Sequence, residues 1–142
     1  MEEEVKYQRR IFAVDPGREK HGLAVLSLEG CVLSQSVVDV GDLRSSIRQF
    51  LQDGEGEALV VGDRTGSDAV VQEIGEEIVG RFRKGIIFVD EHMSSVEGRR
   101  RYLHENRDRW YDAILPVGLR TPKRPYDDYV AVILGERYLK KV

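Results

Sequence analysis

The chain has 142 residues, 41% hydrophobic and 33% charged, with a formal net charge of −3. These totals describe a globular chain with one real core and not a disordered one, and the net charge argues against a protein that coats nucleic acid by charge alone. No apolar run approaches the ~20 residues a membrane-spanning helix needs, the opening MEEEVKYQRR has no apolar signal core, and the lone Cys31 cannot form an internal disulfide, so a single cytoplasmic domain over residues 1–142 is expected.

Residues 11–14 (IFAV) read as a buried strand that runs into Asp15-Pro16-Gly17. Taken alone, Asp before Pro-Gly is a turn starter. Gly17 and Gly22 flank a charged turn, Arg18 to His21. Residues 23–28 read as a second strand, Glu29-Gly30 as a tight turn, and residues 31–40 as a third strand, with Cys31 a small, buried or half-buried residue at its start. Three strands on short connections predict an antiparallel meander. Asp42 is a plausible N-cap for a helix to about Gln52, with Leu43, Ile47, Phe50 and Leu51 at helical spacing. Ala58–Gly62 (ALVVG) is a fully apolar strand, the pattern of a strand covered on both faces. A helix is expected from about Asp68 to Arg83, weakened by Gly75 and Gly80. Ile86–Val89 reads as another buried strand ending in Asp90-Glu91. Ser94 and Glu97 have capping-box spacing for a helix to about Glu105. Residues 106–125 read as loop and helix fragment, and residues 127–139 as a closing helix. The order predicts an α/β fold: a five-stranded mixed sheet, the meander plus two parallel strands, flanked by helices.

Three strands of this scheme end in carboxylates: Asp15, Asp63 and the pair Asp90-Glu91. Strands joined by helical crossovers run parallel, so these ends share one edge of the sheet, where open α/β sheets hold their sites. Asp127 heads a helical series with Ala131, Leu134 and Tyr138 and is expected to point at that edge. Asp128 lies about 100° around the helix and is the weaker candidate. Carboxylates pushed together repel unless a cation joins them, and oxygen-only donors suit Mg²⁺ or Mn²⁺. The histidines, His21, His92 and His104, make no zinc set with one cysteine. Carboxylate-held metal pairs hydrolyse phosphodiesters.

Three segments, DPGREKHGLAV, VDEHMSSVEGR and DDYVAVILGERYL, resemble in order the first-strand, Asp-Glu and closing-helix motifs of the YqgF/RuvX family. That family belongs with the RuvC junction resolvases in the RNase H-like superfamily. The resemblance implies an RNase H-like fold, a divalent metal, and a structured nucleic-acid substrate, with precursor 16S ribosomal RNA placed first and a branched DNA junction second. It carries the acidic site onto Asp15, Glu91 and Asp127, and a basic residue onto Lys20. Gly17 would bring backbone close to metal or phosphate. By strand order Asp63 is better placed than Glu91 to share a metal with Asp15, so both stay in the expected catalytic and metal-binding set with Asp127, and Asp128 joins the metal ligands. The chain departs from the family pattern at His92, where an Arg is usual, at Gly98 in place of Ala, and at Asp63-Arg64 in place of Leu-Pro.

Residues 1–71 carry 8 basic and 13 acidic groups, and residues 72–142 carry 14 and 12. Arg18, Lys20, Arg64, Lys123 and Arg124 flank the expected edge and are candidate phosphate contacts. Trp110 and Tyr111 are read as packing ahead of base stacking, and residues 110–119 as a lid or a dimer contact. Two rival readings stand beside the nuclease. One is a non-catalytic nucleic-acid-binding module, favoured by His92 and the acidic pI. The other is an actin-like or sugar-kinase-like ATPase, for which the chain is too short.

Overall fold

The computed structural model describes residues 10–63, 66–106 and 125–141. Arg64, Trp110, Tyr111, Lys123, Arg124 and the 110–119 segment therefore lie outside the described residues. All five expected strands form: β1 (Arg10–Asp15), β2 (Lys20–Ser27), β3 (Val32–Asp39), β4 (Ala58–Gly62) and β5 (Ile86–Val89). They make one sheet in the order β3-β2-β1-β4-β5. The meander β1-β2-β3 is antiparallel, and β1-β4 and β4-β5 are parallel. The helices are α1 (Leu43–Leu51), α2 (Ser67–Ile74), α3 (Glu76–Val79), α4 (Ser94–Glu105) and α5 (Asp127–Lys141). No helix among the described residues is long and apolar enough to cross a membrane.

Alternation along the central strands feeds two cores. On one face Phe12, Val14, Leu23, Val25, Leu59 and Val61 pack against Leu43, Ile47 and Leu51 of α1, Val70 and Ile74 of α2, and Ile78 of α3. The Phe12 ring meets Phe82 edge-on at 5.2 Å and Phe50 at 6.5 Å, the arrangement that ring quadrupoles favour. On the other face Ile11, Ala13, Ala24, Leu26, Ala58 and Val60 pack against Ala131, Val132, Leu134 and Tyr138 of α5. Small residues on this face let α5 lie close to the sheet. A Cβ on Gly135 would stand 3.4 Å from the Ala13 methyl and 3.0 Å from Leu26 Cδ1. Helix α4 covers α5 in turn. A Cβ on Gly98 would meet Val130 Cγ2 at 2.7 Å and Val130 N at 3.1 Å, which explains glycine at this position.

Several local expectations are corrected. β2 begins at Lys20, three residues early, because its register pairs Asp15 with Gly22 and leaves a tight turn. The expected 68–83 helix breaks into α2 and α3 at Gly75, whose φ of 86° interrupts the helical bonds. β5 is not a fully buried strand: it sits at the sheet edge, Val89 is buried, and Phe88 is 50% exposed. Asp42 makes no side-chain cap; Glu73 of α2 accepts the Leu43 N–H in its place. Ser94 makes no capping box either. It is fully buried at the first position of α4, after Met93 in a left-handed conformation. Cys31 is exposed.

Candidate active site

Parity decides which face each strand-end residue meets. Asp15 follows Ile11 and Ala13 and so faces α5. Its antiparallel partner on β2 is Gly22, and the parallel register of Val14 with Val61 brings Gly62 alongside it on β4. Both neighbours are glycine for a spatial reason. A Cβ on Gly22 would lie 1.8 Å from the Asp127 carbonyl oxygen, and a Cβ on Gly62 would lie 2.3 Å from Glu91 Cδ and 2.5 Å from Glu91 Oε1. The space above Gly62 holds the Glu91 carboxyl group, and the space above Gly22 holds the first turn of α5. With strands about 4.8 Å apart, Asp15 lies between them on one face.

Asp15 is 3% exposed and Glu91 7% exposed, and Asp15 Oδ1 and Glu91 Oε1 are sealed from solvent. Burying two carboxylates on a mainly apolar face is costly unless their charge is answered. Asp127 is half-buried, whereas Asp128 is 2% exposed and accepts a hydrogen bond from Gln35 Nε2 of β3 at 2.9 Å. Asp128, the weaker candidate by helical position, is thus the more deeply buried of the two. Helix α5 is enclosed by the sheet and by α4, so residues 128–135 are all buried and helical periodicity does not single out one face.

Asp63 has the opposite parity to Gly62 and is exposed; its Oδ1 accepts the Glu91 N–H at 3.3 Å. Asp63 therefore engages the backbone that carries Glu91. Among the described residues, no three His, Cys, Asp or Glu side chains form a group that could hold a metal ion. In kind, the donors match a hard divalent cation: carboxylate oxygens only, two of them buried, beside a glycine-floored cradle.

The basic residues sit at the rim. Lys20 Nζ pairs with Asp39 Oδ1 at 2.7 Å, and that hydrogen bond and charge raise the lysine pKa above its ordinary value. The nearby Asp127 charge adds to the rise. Arg18 is exposed and lines a cavity of about 550 Å³ with Pro16, Gly17, His21, Val70 and Glu73. Gly17 is required by the turn itself, since a Cβ there would fall 1.9 Å from the Lys20 carbonyl oxygen. Its N–H donates to His21 Nδ1 at 3.1 Å. With Nδ1 accepting, the proton is assigned to Nε2, which donates to Glu73 Oε1 at 3.1 Å. Glu73 Oε2 accepts the N–H groups of Gly41 and Leu43, each at 3.0 Å. His21, 2% exposed, thus ties the turn after Asp15 to α2 and the start of α1. Sequence reasoning missed this link, because nothing local couples His21 to a residue 52 positions on.

The sheet order, the crossovers and the acidic strand ends define an RNase H-like α/β fold. The chain is similar to the structure of Thermus thermophilus RuvC, with 16% identity over 88% of this chain and 89% of that one and a TM-score of 0.53. It also resembles T. thermophilus RuvC in complex with a Holliday junction substrate, at 18% identity, 89% and 90% coverage and a TM-score of 0.47. No family model and no curated protein sequence matches the chain. At such identity the likeness is one of architecture.

Proposed function

We propose that this protein is a metal-dependent nuclease that cuts structured nucleic acid, with branched DNA the first substrate and precursor 16S ribosomal RNA the second. The observation that carries the reading is the pair of buried carboxylates, Asp15 and Glu91, converging on one face of the sheet beside the first turn of α5. The RuvC-like architecture supports ranking the junction first. The three motifs that resemble the YqgF/RuvX family support keeping the ribosomal precursor.

Asp15, Glu91 and Asp127 would hold Mg²⁺ or Mn²⁺. Asp63 and Asp128 stand one step back, on the Glu91 backbone and on Gln35. A bound ion would supply an activated water and neutralise charge at the scissile phosphate. The chain itself supplies the framework. The sheet fixes the Asp15 backbone, Gly62 leaves room for the Glu91 carboxyl group, and the His21 link holds the turn at Gly17. Arg18 and Lys20 would hold phosphates at the rim, and Arg64, Lys123 and Arg124 are further candidate phosphate contacts by sequence.

A specific observation favours a second reading. His92, where the resembled family has Arg, and the acidic pI of about 5.7 favour a module that binds nucleic acid without cutting it. The test is cleavage of a labelled four-way DNA junction, precursor ribosomal RNA and single-stranded RNA, with Mn²⁺ or with EDTA, by wild type and Asp15→Asn. Metal-dependent cutting lost in the variant supports the nuclease. Binding by both proteins with no cutting of any substrate leaves the module.

A further inference from the structure

We propose that Arg137 and Asp63 are positioning residues that clamp the Asp90–Glu91 peptide group and thereby aim the Glu91 carboxyl group; the functional meaning rests on the nuclease reading above. Glu91 does not sit on a strand or helix. It sits in the short connection between β5 and α4. A side chain on a connection is placed less exactly than one on a regular element, unless the backbone beneath it is held by other groups.

Here the backbone is held at both ends of one peptide plane. Arg137 of α5 donates from Nη1 to the Asp90 carbonyl oxygen at 2.8 Å. Asp63, after β4, accepts the Glu91 N–H at 3.3 Å. That carbonyl and that N–H belong to the same peptide unit. A guanidinium therefore faces its negative end and a carboxylate its positive end, the charge-assisted polarity that strengthens both bonds. Fixing this plane fixes the direction of the Glu91 N–Cα bond, and a hold on the Glu91 carbonyl then limits the φ rotation about it. The flanking backbone is held too: the Ser94 N–H donates to the Glu91 carbonyl at 2.9 Å, and the His92 N–H to Asp90 Oδ1 at 2.9 Å. Met93 is left-handed, with a φ of 61°, a conformation that persists in a non-glycine residue when its surroundings over-determine it. The second arm of Arg137 reaches Glu97 Oε1 of α4 at 3.1 Å, so the two roles of this arginine are separable by mutation.

The experiment has a catalytic and a non-catalytic arm. In the first, junction cleavage with Mn²⁺ is measured for wild type, Arg137→Met, Arg137→Lys, Glu97→Gln, Asp63→Ala, Asp63→Asn and Glu91→Gln. Arg137→Met and Asp63→Ala are expected to lower kcat by about 10- to 100-fold, with KM changed little, because the carboxyl group is misaimed and not removed. Arg137→Lys and Asp63→Asn keep a donor and an acceptor and are expected to recover most of the loss. Glu97→Gln removes only the α4 contact and should stay within about twofold of wild type. In a Glu91→Gln background, Arg137→Met should cost nothing further. Wild-type kcat in Arg137→Met, with Glu91→Gln strongly impaired but measurable, overturns the clamp and leaves the nuclease reading intact.

The second arm measures amide hydrogen exchange and does not need activity. Arg137→Met is expected to speed exchange at the Glu91 N–H at least tenfold while the β1 amides keep their protection. Unchanged Glu91 exchange overturns the clamp whatever the enzyme does. Should wild type cut nothing, the nuclease reading fails, and this arm still decides whether the clamp exists. If Arg137→Met does not fold, Arg137→Gln replaces it in both arms.

Discussion

Substituting Gly62 by Ala tests whether the position of Glu91 matters apart from its chemistry. The new methyl group would stand 2.3 Å from Glu91 Cδ, 2.5 Å from Oε1 and 2.7 Å from Cγ. Ordinary contact begins near 3.4 Å, so the carboxyl group must retreat by about 1 Å. What yields is the far end of a flexible side chain, so the fold survives. Overpacking costs about 1–3 kcal/mol, and the reduced freedom of the unfolded chain returns about 0.4–1 kcal/mol of that. A net loss of about 1–2 kcal/mol corresponds to a melting temperature lower by roughly 4 °C per kcal/mol in a chain of this size. On the proposed nuclease reading the effect on catalysis is larger, because a displacement of about 1 Å at a reacting centre costs on the order of 100-fold in rate. The assay pairs junction cleavage in Mn²⁺ with urea unfolding, for Gly62→Ala, Glu91→Ala and the double variant. Removing Glu91 removes the obstruction, so the double variant should regain the stability that Gly62→Ala loses. Wild-type kcat in Gly62→Ala, alongside an inactive Glu91→Ala, would refute the claim that the carboxyl group works from above Gly62.

Gly22→Ala should be worse than Gly62→Ala, costing about 3 kcal/mol or more, because its methyl group would meet the Asp127 backbone oxygen at 1.8 Å and α5 itself would have to move; urea unfolding measures this. His21→Ala removes a buried imidazole and its bonds to Gly17 and Glu73, so a loss of about 1–3 kcal/mol is expected for the two bonds. His21→Asn, which offers an acceptor on a shorter side chain, should recover part of it in the same measurement. Mn²⁺ should raise the melting temperature of wild type, by the equivalent of about 2.7 kcal/mol at a concentration 100 times Kd. Asp15→Asn should show little of that rise, and an equal rise in both proteins would place the ion elsewhere.

Local rules made much of the framework readable. Apolar runs and turn residues marked five strands, and the length of each connection separated the meander from the parallel pair, because a short turn reverses the chain and a helical crossover does not. The same reading brought Asp15, Asp63 and Glu91 to one edge. Where it failed, the deciding quantity was register or enclosure. Parity within β1 was legible, but relating it to β4 required the pairing of Val14 with Val61, which put Gly62 beside Asp15 and left Asp63 facing the other way. The deeper burial of Asp128 than of Asp127, beside Gln35 of β3, depends on the packing of α5 on the sheet, which a single helical period does not reveal. Asp42 and Ser94 looked like helix caps because cap chemistry is local, yet Glu73 of a later helix accepts the first N–H of α1. The sequence by itself determined which residue types end each strand and how the strands are connected. Only the tertiary structure decided which acids share a face and which distant partners, His21 with Glu73 and Arg137 with the Asp90 carbonyl, hold the surrounding turns. Propensity and periodicity act over a few residues, whereas these pairs meet only after the sheet has closed its register and the helices have packed on it.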